Sequence, residues 1–158
     1  VGIERCVHRD PATVVGLEDS ACDGENTRAV LEGFPGFATL PGSESFLLDT
    51  LRGGGAGCIT ASGKANPAGI RKVYSAWEGE TGEADALQAR ISEIRSTLQG
   101  YPMIPALKAM TARFTGNETW ALTRPPLTAL SGSQVASLMS DLETIGFDIA
   151  TNGDCVTA

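Results

Sequence analysis

Glu18, Asp19 and Ser20 place two carboxylates and a hydroxyl side by side, and Asp23 follows close behind. They come two residues after Thr13-Val14-Val15, a β-branched run of the kind that forms a buried strand. They precede Gly24 to Leu31, a helical pattern for which Asp23 is a natural N-cap. The acidic stretch therefore stands where a parallel strand ends and its helix begins, the place where α/β folds put their chemistry. In a poorly solvated site Glu18 could serve as a general base. Asp19 with Asp23 could recruit a cation, but helix capping accounts for Asp23 more simply.

Other reactive arrangements are weaker. His8 is the single histidine, and no grouping of His, Cys, Asp and Glu has metal-ligand spacing, so neither a metal nor a cofactor is expected. Gly53 to Gly57 is neither a dinucleotide fingerprint nor a Walker sequence, and it precedes a strand where a phosphate loop follows one. It reads as a helix end and a turn. No serine occupies a Gly-x-Ser-x-Gly elbow.

The elements that must position these residues alternate. After a helical Val1 to Arg9, stopped by Asp10-Pro11, come a strand over Thr13 to Leu17 and a helix over Gly24 to Glu32. A second strand, Phe37 to Leu40, leads to a helix over Ser45 to Arg52. A third strand, Ala56 to Ala61, leads to a helix that Asn66 caps with Pro67 at its first position. Three strand–helix repeats of roughly 20 to 25 residues argue for parallel βα units. The remainder is helical: Ala84 to Leu98, Pro105 to Phe114, and a last helix capped by Ser131 or Ser133 and ended by Gly146. Arg124 to Leu127 is expected to be an extended linker, and Thr151 to Ala158 a frayed tail.

Composition sets the class. The chain has 158 residues, 42% of them hydrophobic, and a net charge of −7, which argues against a nucleic-acid partner. Mean hydropathy is −0.01, and no run approaches the roughly 18 apolar residues of a bilayer span. No signal-peptide pattern opens the sequence, so the expected compartment is the cytoplasm, with Cys6, Cys22, Cys58 and Cys155 as reduced thiols. On that ground the sequon Asn117-Glu118-Thr119 carries no meaning.

Gly16-Leu17-Glu18-Asp19-Ser20-Ala21-Cys22-Asp23 resembles the Gly-Ile/Leu-Lys-Asp-Ser-Ser-Gly-Asp segment of the dihydrodipicolinate synthase and N-acetylneuraminate lyase superfamily, the Schiff-base-forming (β/α)8-barrel aldolases. Four further stretches are similar to that family: Pro41-Gly42-Ser43-Glu44, Gly55 to Thr60, Tyr101 to Lys108, and Arg124-Pro125-Pro126-Leu127. The resemblance implies strands six to eight of a TIM barrel plus its C-terminal helical extension. Residues 1–80 would then be βα units and 81–150 the extension; a complete barrel needs roughly 200 residues or more. It also implies a lyase acting on 2-keto acids such as pyruvate, by aldol cleavage, condensation or dehydration. Ser20, Gly42, Ser43, Ile59, Thr60 and Ser62 would face the substrate.

At the position of the family's Schiff-base lysine this chain has Glu18. An imine needs an amine, and a carboxylate cannot supply one. The lysines are Lys64, Lys72 and Lys108. Lys72 reads as a solvated helix residue, and Lys108 matches a family lysine in the C-terminal helices. Lys64 falls in the loop after the third strand, where it is an alternative amine, an ion-pair partner for Glu18, or a solvated loop residue. The function therefore stays open between a lyase, a non-catalytic scaffold or ligand-binding member, and an inactive fragment of a longer barrel.

Three parallel strands would leave one hydrogen-bonding edge and an interior face, with Val15, Leu40 and Ile59, without cover. At about 25 cal/mol per Å2, a few hundred Å2 of bare apolar surface amounts to several kcal/mol, against a total stability of roughly 5–15 kcal/mol. The chain is expected to associate with a chain carrying strands one to five or with a copy of itself, or to belong to a longer parent. Sedimentation of the isolated chain tests this, and a compact, cooperatively unfolding monomer at micromolar concentration would overturn it.

Overall fold

A computed structural model describes residues 2–149 and resolves the chain into two compact units, residues 1–60 and 61–158. The expected tail from Thr151 falls outside the described residues.

The first unit opens with α1 (Gly2–Arg9). The amides of Thr13 and Val14 donate to the Asp10 carbonyl at 3.0 and 2.9 Å, closing a turn. This turn takes up the residues expected to start the strand, so β1 begins later and spans Gly16–Asp19. It pairs in parallel with β2 (Ala38–Pro41), Glu18 standing opposite Leu40 and Asp19 opposite Pro41. α2 (Gly24–Gly33) connects them, and Asp23 caps it by accepting from the Glu25 amide at 3.0 Å.

β1 is not the buried strand expected. Only Asp19 on it is buried, and Val15 just before it is 64% exposed. Parallel strands are ordinarily covered on both faces, and among the described residues of this unit β1 has one hydrogen-bonded neighbour.

The expected third strand is also changed. The segment after α3 (Leu47–Arg52) runs beside β2 but forms no regular ladder. The Ala56 amide donates to Thr39 O at 3.0 Å and the Ile59 amide to Pro41 O at 3.1 Å. The chain thus advances three residues while its neighbour advances two, the extra residue of a bulge. Gly57, at φ +146°, is the residue that tolerates this backbone. Ile59 is left 56% exposed, while Leu40 is half-buried. The expected single helix from Ser45 is instead a 3-10 turn over Glu44–Phe46 running into α3, with Leu47, Leu48 and Leu51 buried. The glycine run ends α3 as expected: Gly53 and Gly54 donate to the carbonyls of Asp49 and Leu51.

The second unit is helical. A 3-10 turn over Ala61–Lys64 leads to α4 (Pro67–Glu78), α5 (Ala84–Gln99), α6 (Met103–Thr115) and α7 (Gly132–Thr144). Its core joins Ile94 and Leu98 of α5, Ala106, Leu107 and Met110 of α6, Leu138 and Leu142 of α7, and Phe147. α6 starts two residues before the expected Pro105, because that proline sits in the first turn, where no amide partner is needed. Ser131 closes a capping box with Gln134 at the start of α7. Arg124 to Leu127 is a turn rather than an extended linker, closed by the Leu127 amide on Arg124 O at 2.9 Å. Among the described residues no helix is long and apolar enough to cross a membrane.

Leu98 has no exposed surface and Leu122 is 69% exposed. Leu98→Ala should cost about 2–5 kcal/mol and Leu122→Ala less than about 0.5 kcal/mol. Urea titrations of both variants check the contrast, and equal effects would mean that the helical core is misassigned.

Candidate functional site

The site forms where β1 ends. Backbone alternation directs Glu18 and Asp19 to opposite faces, and their surroundings differ accordingly. Asp19 is 6% exposed. Its Oδ1 accepts from the Ala21 amide and Asn26 Nδ2, each at 3.1 Å, and its Oδ2 from Thr27 Oγ1 at 2.7 Å. Burial pushes the Asp19 carboxyl up, but the bonds from Thr27, Ala21 and Asn26 together outweigh it and hold the pKa below the ordinary value. Both oxygens are engaged, so Asp19 fastens α2 to the end of β1, and Asp23 is occupied as the cap.

Glu18 is exposed, and Ser20 Oγ lies 2.7 and 2.8 Å from its two carboxylate oxygens, donating to them. The carboxylate lies over Gly42, just past β2. A Cβ on Gly42 would come within 2.8 Å of Glu18 Oε1 and 3.1 Å of Ser20 Cα. Any side chain there would displace the glutamate. Gly42 is also tied to β1 through its amide, which donates to Asp19 O at 2.7 Å. Glu18, Ser20 and Gly42, all expected at the site, are thus brought together. The turn between them passes through Cys22 at φ +55°, a conformation uncommon for a residue with a Cβ.

A second cluster lies in the same unit. Ser43 is buried and caps the following turn by accepting from the Ser45 amide at 3.3 Å. Glu44 is 1% exposed, and its Oε2 accepts from Thr60 Oγ1 at 2.6 Å. Burial and the Glu44 carboxylate push the Cys58 thiol up to about 11. Glu44 was not among the residues expected at the site. The sequence signal for it was its place at the end of the family-like stretch Pro41-Gly42-Ser43-Glu44. Ile59 is exposed, so it gives its site nothing beyond an open apolar surface.

The remaining two expected residues belong to the second unit. Ser62 is fully buried and accepts from Arg95 Nη1 at 3.2 Å; Lys64 is exposed in its 3-10 turn. Every lysine of the chain lies in the second unit, so the first unit offers no amine to a carbonyl.

A parallel βα frame with polar side chains at its strand end places the first unit among α/β folds. A sequence model of the dihydrodipicolinate synthetase family matches residues 8–145, and the chain belongs to that family. It is 35% identical over 130 residues to an uncharacterized DapA-like lyase of Chloroflexus aurantiacus, an alignment covering 82% of this chain and 43% of the relative. A DapA-like lyase of Halobacterium salinarum is 30% identical over 135 residues, covering 85% of this chain and 44% of that one. The chain therefore spans less than half the length of the curated relatives it matches. Among solved structures, YagE of E. coli K12, a prophage protein of the dihydrodipicolinic acid synthase family in complex with pyruvate, aligns with a TM-score of 0.76 at 23% identity. That alignment covers 89% of this chain and 49% of YagE. The 2-keto-3-deoxygluconate aldolase of Sulfolobus solfataricus aligns at 0.73 and 18% identity, covering 89% and 48%. At these identities the structural likeness establishes the fold, an α/β portion aligning with half of a barrel.

Because the Asp19 pKa is depressed, its stabilising contribution is present above the unfolded-state value of about 3.9 and is lost as pH falls through the lower folded-state value. Thr27→Val should therefore destabilise the chain by about 1–3 kcal/mol at neutral pH and shift acid unfolding to higher pH. The gap to the parent should close once both carboxyls are protonated. A deficit that stays constant from neutral pH into acid would show that Thr27 acts only through packing.

Proposed function

We propose that this chain supplies strands six to eight of a DapA-like lyase barrel that takes a 2-keto acid such as pyruvate, with Glu18 as the base in place of the imine-forming lysine. Residues 1–80 are its βα units and residues 81–150 its helical extension. The observation that carries this reading is the carboxylate of Glu18 at the C-terminal end of β1, seated on Gly42 and held by Ser20. Family membership and the pyruvate in YagE support the substrate class.

A carboxylate does not attack the carbonyl, but it can remove a proton from carbon 3 of a 2-keto acid. The electron pair of the broken C–H bond moves toward the carbonyl, leaving an enolate, and the same carboxyl group returns the proton. Ser20 would keep the carboxyl oriented through both transfers. Gly42, Ser43, Ile59 and Thr60 frame the substrate in this reading. The bare surface at Val15 and Ile59 favours an assembly, either with strands one to five or between copies of this chain.

The Ser20 hydroxyl, shared between both oxygens of Glu18, favours a second reading in which the keto acid is held without turnover. Exchange of the pyruvate methyl protons for solvent deuterium separates the two. The chain in its native assembly should exchange them, and Glu18→Gln should abolish the exchange. Borohydride with pyruvate should trap no adduct on the parent and should trap one on Glu18→Lys. Pyruvate binding without exchange would establish the non-catalytic reading; an adduct on the parent at Lys64 would restore imine chemistry.

A further inference from the structure

We draw no further inference here: the strongest candidate, the groove between α2 and α3 lined by half-buried Leu31 and Phe46 and by the exposed carboxylates of Glu25, Glu32 and Asp49, is an open apolar face beside a group of acids, and nothing in the structure shows what covers it.

Discussion

The first unit depends on the buried carboxylate of Asp19. A carboxylate taken out of water is costly unless donors surround it, and here all of them come from the chain immediately after it: the Ala21 amide, Asn26 and Thr27. Satisfying the charge therefore forces the backbone to fold back on the strand end and fixes the start of α2. Glu18, the neighbour on the opposite face, is held at the strand terminus as a consequence. The position of the candidate base is thus set by a residue that does no chemistry itself.

Around that anchor, close approach decides the rest. Gly42 accepts the Glu18 carboxylate over its α-carbon, and Gly16 lets β1 and β2 approach, since a Cβ there would lie 2.6 Å from Ala38 O. Gly57 admits the bulge that ends regular pairing.

The helical unit follows another logic. Its core joins apolar side chains from α5, α6 and α7, and buried polar groups stand beside it at Ser62, Arg95 and the start of α4. There Asn66 is committed as a cap on one side and left with a buried donor on the other.

The sequence alone determined the family, the caps at Asp23 and Asn66, the glycine stop after α3, and the amphipathic helices, because these rest on local spacing and on backbone chemistry within a few residues; the structure chose Ser131 over Ser133 as the cap of α7. The sequence also marked Glu18, Ser20 and Gly42, through their place in short recognisable stretches. It misplaced the start of β1 and read the third segment as regular, since a turn at Asp10 and a bulge at Gly57 compete with β-propensity in ways a pattern of apolar residues does not register. It read β1 as buried from its β-branched approach, whereas burial is a property of what lies alongside. Only the tertiary structure decided that Asp19 is a satisfied core carboxylate while Glu18 is open, that Glu44 is buried against Thr60, and that Asn66 keeps an unpaired amide. The physical reason is common to all three: the charge state and availability of a polar side chain depend on donors and walls brought in by other segments, and those are fixed by packing rather than by neighbours in the chain.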